Sequence, residues 1–180
     1  MNLTVITPPE EEPVSVATAK AHLRVDYSTD DALIATYLKA ARELCEGLAR
    51  RAFVTQSLRL VLDDFPSNYI LKLPRPPLQS VEAVTYLDAD GVEHDWTDFT
   101  FDAGSEPGRV IFNSLPNASL QESGAVAVEF TAGYESAADM PNIFVMAILQ
   151  TVANWYELRE MGDVPKSAKS LLMSDRGSYF

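Results

Sequence analysis

Few side chains in this sequence of 180 residues have the types and spacings that catalysis or metal binding needs. Neither of the two histidines, His22 and His94, belongs to a metal-binding pattern such as H-E-x-x-H. His94 precedes Asp95 and could form half of a catalytic pair, but the sequence places no nucleophile beside it. The single cysteine, Cys45, falls on an apolar helical stripe, which indicates a buried thiol. We therefore predict no catalytic residue, no metal site and no cofactor.

The acidic segment from Asp88 to Glu93 superficially resembles a calcium-binding loop. It lacks the third acid before Gly91 and the glutamate at the twelfth position that such a loop requires. The tetrad Asp88-Ala89-Asp90-Gly91, which follows the alternating segment from Val81 to Leu87, is typical of a hairpin turn. We predict a turn here rather than a cation site.

Acidic residues are concentrated in the middle of the chain. The sequence has 14 Lys and Arg against 26 Asp and Glu, a net charge of −12. Residues 1–81 carry a net charge of −1, residues 82–139 carry −11 and residues 140–180 carry none. This balance argues against a nucleic-acid binder that works through a broad basic face. The acidic third is either a solvated sheet face, or a surface that repels polyanions or pairs with a basic partner.

The composition, with 47% hydrophobic and 22% charged residues, is that of an ordinary globular protein. No window approaches 18 consecutive apolar residues, so we expect no membrane span and no membrane partner. Residues 1–12 lack the basic and apolar regions of a signal peptide. A lone cysteine forms no intrachain disulfide, which favours a reducing compartment.

Two helices are predicted in the first third of the chain. Ser15 is typical of the N-cap of a short helix. Ser28, with Asp31 at the capping-box position, predicts the start of a longer helix that runs to about Arg50. Apolar residues at spacings of three and four predict that one face of this helix packs on a core; they are Ile34, Tyr37, Leu38, Ala41, Cys45 and Leu48.

A further long helix is predicted to open at Pro141 and to end near Gly162. It is apolar most of the way round, so we expect contact with another subunit as well as with its own core. The tail after it contains Leu171-Leu172-Met173 and ends in Tyr179-Phe180. This tail is interpreted as a docking segment, with a loosely packed terminus as the alternative.

Six short segments between these helices predict an antiparallel sheet or small barrel. They are Leu58 to Leu62, Ile70 to Leu73, Val81 to Leu87, Phe99 to Phe101, Arg109 to Phe112 and Ala125 to Phe130. Pro74-Arg75-Pro76-Pro77 separates two of them as a rigid connector. The predicted class is therefore α+β: a helical core of two long helices plus a short N-terminal helix, with an inserted antiparallel sheet. The predicted divisions are an N-terminal arm 1–13, a helical connector core 14–54 and 140–163, an inserted β region 55–139 and a C-terminal docking tail 164–180.

Five phrases, in order, resemble those of one known family. They are Val14 to Val25, Ser28 to Arg51, Leu73 to Val81, Phe130 to Tyr134, and Ala147-Ile148-Leu149 with Trp155 to Arg159. The chain thus resembles, over roughly residues 14–160, the head–tail connector or adaptor proteins of tailed double-stranded DNA bacteriophages, which also occur in gene transfer agents.

The resemblance implies a structural virion protein with neither catalysis nor cofactor. Such adaptors form a ring, usually of twelve copies, beneath the portal protein, and bridge it to the stopper or tail components. DNA passes through the ring without specific binding. The implied location is the head–tail junction of the virion, with assembly in the bacterial host cytoplasm; a monomer in isolation is compatible with this role because ring formation can await the portal.

The resemblance also places roles on three groups of residues. The ring interface is expected at Phe144, Ile148, Trp155 and Tyr156. Portal docking is expected at Leu171, Leu172, Met173, Arg176, Tyr179 and Phe180. The acidic β region, at Asp88, Asp90, Glu93 and Asp95, is expected to keep a channel wall from binding DNA.

Two alternatives remain open at the level of sequence. One is a different virion component, a stopper or tail-completion protein. The other is a small hydrolase or ligand-binding enzyme of α+β fold, in which a pocket would gather His94, His22 and acids.

Overall fold

The computed structural model describes residues 1–175, which divide into two compact units. One is a β unit of residues 1–8 and 55–133, and the other is a helical unit of residues 9–54 and 134–175. The α+β class is as predicted. Where the sequence suggested a separate arm and a separate tail, residues 1–8 belong to the β unit and residues 164–175 to the helical unit.

Four helices form the helical unit. They are α1 (Val16–Leu23), α2 (Asp31–Ala49), α3 (Asn142–Leu158) and α4 (Lys166–Ser174). Within residues 1–175, no helix combines the length and apolar content that crossing a bilayer demands.

The structure confirms one predicted helix end and corrects two others. Ser15 caps α1 as expected, because its Oγ accepts a hydrogen bond from the Thr18 backbone N–H at 3.1 Å. The prediction that Ser28 is the N-cap of α2 is wrong. The Ser28 carbonyl accepts a hydrogen bond from the Asp31 N–H in a turn before the helix, and α2 begins only at Asp31. The predicted stop of α3 at Gly162 is also wrong, since α3 ends at Leu158 and the Gly162 carbonyl accepts from the Trp155 indole N–H at 3.0 Å.

The core of the helical unit is formed by apolar faces of all four helices. The predicted stripe of α2 is buried, apart from Leu48, which packs partly buried against the core. Phe53 stacks on Phe144 with ring centroids 4.5 Å apart, and Tyr37 meets Trp155 edge-on at 6.0 Å. Because α4 contributes fully buried Ala168 and Leu172, it closes this core rather than standing apart from it.

Eight strands are described in the β unit. They are β1 (Asn2–Thr7), β2 (Gln56–Leu62), β3 (Ile70–Lys72), β4 (Leu78–Leu87), β5 (Glu93–Asp95), β6 (Phe99–Asp102), β7 (Arg109–Phe112) and β8 (Val126–Ala132). They form a five-stranded antiparallel sheet in the order β1-β2-β8-β4-β5 and a three-stranded antiparallel sheet in the order β3-β7-β6.

The two sheets share an apolar interior. The Phe65 ring lies edge-on to Phe112 of β7 at 5.2 Å and to Tyr86 of β4 at 6.1 Å, so it joins one sheet to the other. Gly108 makes a second close approach: a Cβ at this position would lie 2.4 Å from Cβ of Leu78. Only glycine fits there without a shift of the backbone.

Sequence patterning predicted six of these strands but neither edge strand of the larger sheet. β1 pairs with β2, its register running from Asn2 opposite Val61 to Val5 opposite Leu58. β5 consists of the polar residues Glu93, His94 and Asp95. It forms a strand because the preceding turn brings it alongside β4, with which it pairs. Both strands depend on pairing with another segment, which a local pattern does not contain.

Candidate functional site

The predicted turn at residues 88–91 is confirmed, and Asp88 organises it. Its Oδ1 accepts hydrogen bonds from the backbone N–H groups of Asp90 and Val92, both at 3.0 Å. Its Oδ2 lies 2.7 Å from Nε2 of His94. The hydrogen bond to His94 first, and then those from the backbone, hold the pKa of Asp88 below its usual value. Asp88 is therefore a turn-stabilising residue at the base of the hairpin.

Three other acids of the β unit act in the same way. Asp63 accepts from the Gly124 backbone N–H at 2.9 Å, and Asp98 accepts from Asn113 and Ser114. Asp102 accepts two hydrogen bonds from the Arg109 guanidinium at 2.9 and 3.1 Å. These hydrogen bonds lower the pKa of each carboxyl; the acids concerned are Asp63, Asp98 and Asp102. Part of the acidic excess thus stabilises turns and strand ends.

The other three predicted acidic residues project from the β4–β5 hairpin. Asp90, Glu93 and Asp95 are exposed, and between the first two stands Val92, whose surface is 52% exposed. Glu93 lies 3.8 Å from Arg59, whereas Asp90 and Asp95 form no ion pair within residues 1–175. The tip of the hairpin therefore offers an apolar side chain flanked by carboxylates.

Three of the four residues expected at a ring interface are buried in the core of the helical unit. Phe144, Ile148 and Trp155 are at most 2% exposed, because α3 packs against the other helices of its own unit. Their side chains cannot contact a second copy in this fold, which corrects the expectation for all three. Tyr156 is half-buried.

Tyr156 joins α3 to the start of α2. Its hydroxyl donates a hydrogen bond to Oδ2 of Asp30 at 2.6 Å and lies 3.0 Å from the Tyr27 hydroxyl. The hydrogen bond to Asp30, followed by that to Tyr27, raises the pKa of Tyr156. Asp30 is the N-cap of α2 but makes no capping hydrogen bond, since its side chain is used here.

The residues expected to dock on the portal differ in their exposure to solvent. Leu172 is fully buried in the core of the helical unit, which corrects its assignment to a docking surface. Leu171 is half-buried, and Met173 is 46% exposed. Arg51 then holds the end of α4, donating to the Asp175 carbonyl at 2.7 Å. The other expected docking residues, Arg176, Tyr179 and Phe180, lie outside the described residues.

A groove that the sequence did not predict lies at the carboxyl ends of α1 and α3. Its volume is about 530 Å³, and its lining includes His22, Arg24, Tyr156, Glu157 and Arg159. Each arginine is the residue that ends its helix, in the left-handed conformation, with φ of 58° and 53° respectively. The only local signal is a basic residue directly after an apolar helix, and nothing in the sequence indicates that these two meet.

The residues considered for catalysis are not assembled into a catalytic group. His22 lies in the helical unit and His94 in the β unit. Burial raises the pKa of the Cys45 thiol to about 11, so this fully buried side chain is protonated at neutral pH, as its place on the apolar stripe predicted. Within residues 1–175, no three His, Cys, Asp or Glu side chains are grouped as metal ligands would be.

Comparison with known proteins connects this fold to virion components. The family model of phage gp6-like head-tail connector proteins matches residues 13–85, which span α1, α2 and the first strands after them. No curated protein matches the chain.

Solved structures match over almost the whole length. A chain in the virion of a native gene transfer agent particle has a TM-score of 0.83 and 27% identity, covering 99% of this chain and 96% of that one. A chain in the neck of an empty particle, computed with C6 symmetry, gives the same values. A chain in the neck of a native particle, computed with C12 symmetry, has a TM-score of 0.80 and 26% identity over the same shares.

The family match covers the first three of the five sequence phrases, and the structural match extends through the β unit and α3. Both comparisons lead to virion components, as the resemblance implied. The chain is therefore similar to head–tail connector proteins over residues 13–85 and to gene transfer agent chains over almost its whole length, which identifies it as a structural adaptor of the virion.

Proposed function

We propose that this connector forms a twelve-membered ring at the head–tail junction, between the portal protein and the stopper or tail components. DNA passes through the ring without specific binding. The ring assembles on the portal in the bacterial host cytoplasm, and the protein performs no catalytic step.

The observation that carries the proposal is the match to a neck structure of twelvefold symmetry. The fold is shared over nearly all of both chains, which supports a role in the same part of a particle. A cyclic ring needs two different surfaces on each copy, one for each neighbour. Exposed apolar side chains remain on both units for such contacts, among them Val92, Leu158 and Met161.

Charge supports the passage of DNA without binding. The β unit holds twelve acidic residues against four basic ones over residues 1–8 and 55–133. A protein binds duplex DNA nonspecifically by neutralising phosphates with lysine and arginine. An acidic unit supplies little of that attraction, which favours movement of DNA past the protein without binding.

Disruption of the gene in the producing cell tests the role. We expect DNA-filled heads without tails, and complementation in trans restores tailed particles. Cryo-electron microscopy of the complemented particles should place the chain directly against the portal. If the ring lies one layer further from the head, the protein is a stopper or tail-completion protein; if tails still attach without it, the adaptor role is wrong.

A further inference from the structure

The groove at the ends of α1 and α3 has the composition of a protein interface. Its lining has two arginines, Arg24 and Arg159, against one acid, Glu157, beside Tyr156. The residues next along the chain include Leu158 and Met161, 66% and 53% exposed. Arginine, tyrosine and methionine are enriched where proteins bind one another, and lysine is depleted. The negative end of a helix dipole accounts for one cation at each helix end. It does not account for the large apolar side chains exposed beside them.

Both arginines of the groove lack an ion-pair partner among residues 1–175. Several other basic side chains form ion pairs, such as Lys20 with Asp31 at 2.7 Å and Lys169 with Asp163 at 3.4 Å. Arg24 and Arg159 both adopt the left-handed conformation that commonly ends a helix, as Arg50 does after α2.

The hairpin tip of the β unit has the complementary properties. Asp90 and Glu93 flank the exposed Val92, so the tip is apolar at its centre and anionic on each side. The hydrogen bonds to Asp88 hold the turn in one conformation before any partner binds. A preorganised loop loses less conformational entropy on binding.

We propose that the groove of one copy binds the β4–β5 hairpin tip of the next copy in the ring. This inference rests on the proposed ring. The arginines would pair with Asp90 and Glu93, since a guanidinium binds a carboxylate through two parallel hydrogen bonds. Val92 would lie against the apolar side chains beside them. Groove and hairpin belong to different units of the same chain, so each copy supplies both halves of a head-to-tail contact.

Charge reversal on each side tests the contact in assembled particles. The groove variant is R24E/R159E and the hairpin variant is D90K/E93K, each expressed as the only source of the protein. We expect the amount of the protein in purified particles to fall about tenfold or more for either variant, because like charges then face each other. When both variants are expressed together, every junction of an alternating ring pairs opposite charges, and incorporation should return.

Matched controls separate the contact from net charge and from folding. K39E/K166E changes the charge of the helical unit equally at exposed positions outside the groove lining. E10K/E135K reverses two exposed acids that lie outside the β4–β5 hairpin and the segment bonded to it. Both should be incorporated like the wild type. The double variant R24Q/R159Q removes both positive charges without adding repulsion. The amount of it in purified particles should lie between the amounts of the wild type and of R24E/R159E. Circular dichroism of each purified variant checks the fold.

The outcomes distinguish this inference from the proposed function. If the wild-type protein is absent from particles, the adaptor role itself is wrong. Normal incorporation of both reversed variants overturns the contact and leaves the ring standing. Loss without recovery on coexpression shows that the groove binds some other virion protein. If the hairpin variant is incorporated normally but changes the rate of DNA transfer, its acids line the passage instead, and the contact is equally overturned.

Discussion

Arg42 of α2 lies between two carboxylates, with its Nε 2.7 Å from Oε2 of Glu12 and its Nη1 2.9 Å from Oε2 of Glu46. Glu46 in turn accepts a hydrogen bond from the Phe53 backbone N–H at 2.7 Å. Arg42 and Glu46 are each 3% exposed. This network joins the segment before α1 and the segment after α2 to the middle of α2.

Replacement of Arg42 by methionine should therefore destabilise the protein strongly. The substitution keeps the length and apolar stem of the side chain but removes the buried cation from between Glu12 and Glu46, and removal of one partner of a buried ion pair costs about 3–5 kcal/mol. The free energy of unfolding measured in urea should fall by that amount. Lys39→Met on the exposed face of the same helix is the control and should change it by less than about 0.5 kcal/mol. Equal effects of the two substitutions would contradict the structural role of the network.

Leu172 and Met173 are neighbours on α4 with opposite environments. Because Leu172 is fully buried, Leu172→Ala should lower the free energy of unfolding by about 2–5 kcal/mol. Met173→Ala removes a side chain that is 46% exposed and should have a much smaller effect. Urea titrations of both variants provide the measurement. If Leu172→Ala unfolds like the wild type, α4 is a docking element that leaves the core uncovered, as the sequence first suggested.

Two glycine substitutions should have opposite signs. At Gly108 a new Cβ would lie 2.4 Å from Cβ of Leu78, so Gly108→Ala should destabilise the β unit by about 1–3 kcal/mol. At Gly47, within α2, nothing lies within 4 Å of a new Cβ. Gly47→Ala should therefore stabilise the protein by about 0.5–1 kcal/mol through helix propensity.

A double substitution checks the cause at Gly108. If the clash with Leu78 is responsible, the added cost of Gly108→Ala should be smaller in a Leu78→Gly background, which removes the Cβ at 2.4 Å, than in the wild type. Thermal unfolding of the four proteins completes the cycle. Strict additivity would mean that the two residues do not interact in this way.

Asp88 should contribute to the dependence of stability on pH. Its pKa is lower in the folded protein than in the unfolded chain, where aspartate has a value of about 3.9. Its contribution is therefore complete above the unfolded value and is lost as the pH falls through the folded value. Asp88→Asn should flatten the fall in urea midpoint between about pH 4 and pH 2. Asp90→Asn, on the same turn, removes a carboxylate that accepts no described hydrogen bond and should change the profile less; the reverse order would contradict the role of Asp88.

Local sequence determined those features that depend on residues close together in the chain. Ser15 caps α1 because its hydroxyl reaches an N–H three residues away, and Asp90-Gly91 forms a turn because glycine adopts the positive φ of 77° found there. The buried stripe of α2 followed from the helical period alone. Six strands followed from alternation, and the family resemblance followed from short phrases in a fixed order.

Tertiary structure decided which surface covers which. The apolar pattern of α3 indicated that Phe144, Ile148 and Trp155 avoid water, but the same pattern suits a subunit interface and a core. The packing of α2 and α4 on α3 resolved this in favour of the core. Arg24 and Arg159 are far apart in the chain and line one groove only because α1 and α3 end side by side. Periodicity reports which side chains are shielded from water, whereas the identity of the shielding segment depends on contacts between distant residues, which only the folded chain contains.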